Sequence, residues 1–176
     1  VMNYPFRKIV LDFMLGQKTA TEVHAALYSL YENYPKEVFY SVMNLVGSHD
    51  VPRILTLLGD APAQGLTLLE QSRYQLDKNA YHKASRRLKL VVLWQMTFPG
   101  TPTIYYGDEA GKEGYSDPFN RGTYPWGKED RELVAWYKKI IALRQDYPVL
   151  KTGDWQELYA QGDVYCYMRY SSEGKD

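Results

Sequence analysis

Apolar and polar positions follow two alternating rhythms along most of this chain, and each change of rhythm marks an element. "VMNY" at residues 1–4 reads as the end of a strand, and "PFRKIVLDFML" sets Pro5 in a first helical turn, with Ile9 and Phe13 following at helical spacing. Thr19 or Thr21 can cap the next helix, whose Val23, Leu27, Leu30, Tyr31 and Tyr34 recur on one face and which Pro35 ends. The continuous apolar, β-branched and aromatic run "EVFYSVMNLVG", residues 37–47, predicts a strand buried on both faces. "VPRILTLLG" after it reads as helical, residues 59–82 as an irregular insertion with a short helix, and "ASRRLKLVVLWQMTF" as a long helix stopped by Pro99 and Gly100. "TPTIYYG" is a further buried strand, residues 108–130 a long loop, and residues 129–146 a helix with Leu133, Trp136, Tyr137, Ile140 and Arg144 on one face. Beyond Pro148, "DWQELYA" and "VYCYMRY" alternate around "QGD" as an antiparallel hairpin does.

Strand and helix repeats in succession imply right-handed parallel crossovers, in an open doubly wound sheet or in part of a (β/α)8 barrel. No glycine-rich phosphate loop occurs, so the barrel is preferred. Both architectures bind ligands at the carboxyl ends of strands. His49 and Asp50 in "NLVGSHDVPR" fall there, as do Tyr4 and the group Gly107, Asp108, Glu109. Each has a bland alternative. Asp50 is well placed to cap the helix that follows, and Ser48, His49 and Asp50 are no nucleophilic triad by adjacency alone. Glu109 can be a structural carboxylate tied to Arg or Lys. Asp117 and Arg121 can be a surface i,i+4 ion pair, worth little, and Tyr105, Tyr106, Tyr124 and Trp126 can pack or stack on sugar rings.

Composition narrows the partners. The chain has 176 residues and is 45% hydrophobic, enough for a real core, and its 21 Lys and Arg balance 21 Asp and Glu. No global field then draws in nucleic acid or an anionic membrane, and the expected partner is neutral. The single Cys166 excludes an internal disulfide, which favours a cytoplasmic setting. No apolar run reaches the roughly 20 residues of a membrane span, and the first residues lack a signal-peptide layout. Opening inside an element and ending on the polar "SSEGKD", the chain reads as a piece of a longer protein.

Longer stretches carry a resemblance. "NLVGSHDVPRILTLLGD", "FPGTPTIYYGDE", "DPFNRGTYPW" and "LVAWYKKIIALRQDYPVLKTGDW" together resemble the α-amylase family of glycoside hydrolases, family 13, and within it the neopullulanase, cyclomaltodextrinase and maltogenic amylase branch. The resemblance implies barrel strands six, seven and eight at "VMNY", "EVFYSVMNLVG" and "TPTIYYG". Residues 1–148 would be a partial catalytic barrel and residues 149–176 the start of a carboxyl-terminal β-sandwich. It also implies retaining hydrolysis of α-1,4 or α-1,6 bonds in an α-glucan, maltooligosaccharide or cyclodextrin. Asp50 would be the third carboxylate, which stabilises the transition state. His49 would donate to the same sugar, and Asp117 and Arg121 would bind the next glucose on the non-reducing side. The family's nucleophile and acid/base belong to strands four and five, before this chain begins. Two readings follow: a fragment of a hydrolase, inactive alone, or a non-catalytic relative kept for sugar binding or protein contacts. No cofactor or metal is expected within these residues, family calcium sites falling mostly in the missing part, and exposed sheet edges invite self-association.

Overall fold

Three parallel strand positions lie side by side in the computed structural model, which describes residues 1–62 and 64–171. Met2 bridges Met43 in parallel, and β1 (Met43–Leu45) pairs in parallel with β2 (Thr101–Thr103), Asn44 opposite Pro102. Helices carry each crossover: α1 (Tyr4–Met14), α2 (Ala20–Asn33) and α3 (Lys36–Ser41) before β1, then α4 (Ile54–Leu58), α5 (Leu68–Arg73) and α6 (Lys78–Thr97) before β2. After β2 come α7 (Arg131–Asp146), α8 (Val149–Thr152) and the antiparallel strands β3 (Asp154–Gln161) and β4 (Val164–Tyr170). The packing divides into two compact units. One holds Val1–Leu45, Leu93–Thr103 and the chain from Ile140 through the hairpin; the other holds Val46–Val92 and Ile104–Lys139.

In the first unit, Phe6 and Phe98 stack with centroids 5.4 Å apart, and Trp155 of the hairpin meets Phe98 edge-on at 5.3 Å. The polar ends of the strands are cross-tied. Asn3 caps α1 by accepting from the Phe6 N–H and donates to Asn44 Oδ1 at 2.9 Å, while Gln95 donates to the carbonyls of Asn44 and Thr103. Gly100, at φ 117°, lies where a β-carbon would come within 2.5 Å of the Asn44 amide, so its lack of a side chain is a packing requirement. Arg144 and Arg169 gather carbonyls at the end of α6, Arg144 from Met96 at 2.7 Å and Arg169 from Thr97 at 2.7 Å, which suits cations at a helix carboxyl end. Thr19, not Thr21, caps α2, in a reciprocal box with Glu22.

Several expected elements differ. "EVFYS" forms α3 instead of continuing a strand, and β1 keeps only three residues. Pro35 occupies the N-cap of α3, and only Phe39 of that helix is buried, against Tyr31 and Phe98, so the run has one core face and not two. An apolar run alone does not separate these cases. "VMNY" contributes a single bridge, and "TPTIYYG" narrows to Thr101–Thr103. In the second unit α6 starts at Lys78, inside the expected insertion, because Asp77 Oδ1 accepts from the N–H groups of Asn79 and Ala80. Residues 172–176 of the expected β unit lie outside the described residues.

Candidate active site on the loop after β1

Past Leu45 the chain runs through buried Val46, Gly47 and Ser48 before His49 and Asp50 emerge with side chains 53% and 54% exposed. His49 Nε2 stands 3.2 Å from Asp50 Oδ1. Arg53 occupies the N-cap position of α4, and its own N–H donates to the Gly114 carbonyl, so Asp50 is not the N-cap residue of that helix. The Asp50 N–H donates to Ser48 Oγ at 3.1 Å.

Beneath this loop lies a network in which Tyr105, Tyr106 and Asp108 were named from the sequence, and Arg53 and Asn120 were not. The Asn120 amide nitrogen donates to the carbonyls of His49 and Val51, each at 2.9 Å. Arg53 is fully buried; its Nε donates to the Asn120 carbonyl at 2.8 Å, and its Nη1 donates to the Tyr106 carbonyl and to Asp108 Oδ1, the latter at 3.0 Å. The Tyr105 ring lies 4.2 Å and the Tyr106 ring 4.8 Å from the guanidinium carbon, so these tyrosines pack on the cation. Gly47 passes so close above Asp108 that a β-carbon there would stand 2.0 Å from Oδ2. Removing one partner of a buried ion pair costs about 3–5 kcal/mol, which makes Arg53 and Asp108 a strong local constraint. An arginine inside the apolar "VPRILTLLG" was the available signal, since a buried charge needs a partner.

Glu109 differs from its expected tie to Arg or Lys. Its carboxylate accepts from the Gly107 N–H at 2.8 Å, and Asp108 takes the arginine, Gly107 at φ 89° turning the chain between them and β2. Asp117 Oδ1 and Arg121 Nε stand 3.2 Å apart as an exposed i,i+4 pair, Arg121 sharing a short 3-10 turn with Asn120. Tyr124 and Trp126 pack at 4.5 Å between centroids, Trp126 remaining 80% exposed. Tyr4 is the first residue of α1. Burial, reinforced by the Arg53 charge, holds the Lys112 ammonium below its ordinary range, and burial followed by the charges of Asp108 and Glu109 pushes the Tyr137 phenol well up, leaving it neutral. Among the described residues no three His, Cys, Asp or Glu side chains gather as metal ligands.

His49 and Asp50 thus follow a strand of the parallel set in the chain, the position at which (β/α)8 barrels carry their ligand sites. The chain belongs to the α-amylase family: the family model for the alpha amylase catalytic domain matches residues 1–126. It is 46% identical over its whole length to an amylopullulanase of Thermoanaerobacter thermohydrosulfuricus, covering 12% of that protein, and 35% identical to a cyclomaltodextrinase of Geobacillus thermopakistaniensis, covering 26% of it. Among solved structures, a cyclomaltodextrinase superposes with TM-score 0.79 at 35% identity over 98% of this chain and 27% of that one. An acarbose-soaked debranching enzyme of Nostoc punctiforme superposes with TM-score 0.77 at 29% identity over 97% of this chain and 34% of that one. The chain thus spans about a third or less of each of these relatives. Its fold is the carboxyl-terminal part of a glycoside hydrolase family 13 barrel, followed by antiparallel strands.

Proposed function

We propose that this chain is part of the catalytic domain of a retaining α-glucan hydrolase, and that it supplies one wall of the active site. In this reading Asp50 accepts hydrogen bonds from hydroxyls of the sugar at the cleavage point, and His49 donates to the same ring. Those contacts tighten as the ring gains oxocarbenium character, so they favour the transition state over the bound substrate. The attacking carboxylate and the proton donor to the leaving oxygen come from polypeptide outside these residues, and Asp117 and Arg121 hold the neighbouring glucose. The substrate class is a maltooligosaccharide, cyclodextrin or larger α-glucan, in line with the names of the relatives. What carries the reading is the His49 and Asp50 pair: half exposed, in mutual contact, and set on a loop whose backbone is tied down by buried groups.

The test is Asp50→Asn in the full-length protein that carries this segment. Losing several kcal/mol of transition-state stabilisation lowers kcat by about a hundredfold or more, with folding intact. Near wild-type turnover on maltooligosaccharides would remove Asp50 from the site. His49→Ala costs less, a neutral hydrogen bond being worth about 0.5–1.5 kcal/mol.

A further inference from the structure

We infer that Asn120 is a positioning residue whose task is to aim Asp50; this rests on the role proposed above for Asp50. The two carbonyls that accept from its amide nitrogen belong to the residues on either side of Asp50, so one side chain grips the backbone at His49 and at Val51. Two acceptors on one nitrogen also fix the amide's orientation, because the opposite flip would set its oxygen against both carbonyls. The N–H of Asp50 is held separately by Ser48 Oγ, on a residue only 4% exposed. With His49 O, Asp50 N and Val51 O all engaged, the direction in which the Asp50 side chain leaves the backbone is set, and its carboxylate meets His49 Nε2 at 3.2 Å.

Asn120 is itself 0% exposed, so no substrate atom reaches it and any effect on the reaction passes through the loop. Its own backbone is held in turn, since its carbonyl accepts from Arg53 Nε at 2.8 Å. Arginine suits that place because its rigid fork serves Asn120, Tyr106 and Asp108 together, which a lysine ammonium does not match in geometry. Gly47 completes the brace from the strand side: any β-carbon there would strike Asp108 and lift the loop. A sugar hydroxyl bound by a carboxylate is sensitive to such support, because a displacement of about 1 Å at a reacting group costs up to about a hundredfold in rate.

A buried asparagine that only stabilises the fold would look similar in the static structure, so the test is a double-mutant cycle. Asn120→Ala, Asp50→Asn and the pair are made in the full-length protein, and kcat and KM are measured on an aryl maltoside with an activated leaving group, alongside thermal midpoints. The expected result is a fall in kcat of about 10- to 100-fold for Asn120→Ala with KM changed less than about twofold, and less than about twofold further loss when Asp50 is already Asn. An equal fall in both backgrounds, or unchanged kcat in folded Asn120→Ala protein, overturns the inference. Unchanged kcat for Asp50→Asn alone overturns the role given to Asp50 and this inference with it, whereas a crippled Asp50→Asn with additive effects at Asn120 overturns only the positioning. Should Asn120→Ala not accumulate in folded form, Asn120→Ser, which keeps a hydroxyl donor, enters the same cycle under the same criteria.

Discussion

Asp117 and Arg121 face solvent as an i,i+4 pair, their side chains 59% and 46% exposed. Exposed pairs contribute about 0–1 kcal/mol to stability, so such geometry is a weak reason for both residues to be there. If they hold the glucose next to the cleavage point, Arg121→Ala in the full-length protein raises KM more than it lowers kcat. An unchanged KM with a slightly lower thermal midpoint would leave only the ion pair. At this scale the sequence names candidates where residue type and strand-end position coincide, as for His49 and Asp50, and the structure places both side chains half exposed on the loop after β1. Asp108 was named with its strand end, but Arg53 and Asn120 were not singled out, because two of the bonds that matter run from the Asn120 side chain to backbone carbonyls 71 and 69 residues away, and every residue presents a carbonyl. Only the arginine left a trace, as a charge in an apolar run.

Helices were read with most success where a cap and a one-sided apolar face agree. Thr19 with Glu22 opens α2, and α7 carries Leu133, Tyr137 and Ile140 as buried positions on its face. Strands were over-read, since an apolar and aromatic turn of helix such as α3, of which only Phe39 is buried, shares the composition of a buried strand. The connection from α5 to α6 offers a test of a half-buried carboxyl. Glu113 accepts from the Leu76 N–H at 2.7 Å, and burial, the dominant influence, raises its pKa above the ordinary 4.5. The unfolded chain ionises near 4.5, whereas the folded chain holds the proton to higher pH, so folding binds protons between the two values. The stability Glu113 contributes is therefore present below 4.5 and lost as pH rises through the folded value. Glu113→Gln keeps an acceptor for Leu76 and removes the half-buried charge. Its urea midpoint in the full-length protein is expected to exceed wild type at about pH 8 and to match it at about pH 4. A gain of the same size at both pH values would show that burial of the charge is not the cause.

At the scale of the whole chain, the parallel order of Met2, β1 and β2 and the match across residues 1–126 agree on one segment of an α-amylase barrel. Balanced charge gives the chain no global field toward a charged partner, and no helix among the described residues is long and apolar enough to cross a membrane. Retaining hydrolysis needs one carboxylate to attack and a second to protonate the leaving oxygen. The most prominent other acids near the loop are otherwise engaged: Asp108 with Arg53, Glu109 with the Gly107 N–H, and Asp117 with Arg121. In the reading proposed above, Asp50 stabilises a transition state that the 176 residues do not reach alone. The direct measurement is release of chromophore from an aryl maltoside by the purified 176-residue chain, beside an Asp50→Ala control of the same chain. No turnover above that control is the predicted result; turnover well above it would mean that a second carboxylate within these residues attacks the sugar, and that the active site is not shared with polypeptide beyond them.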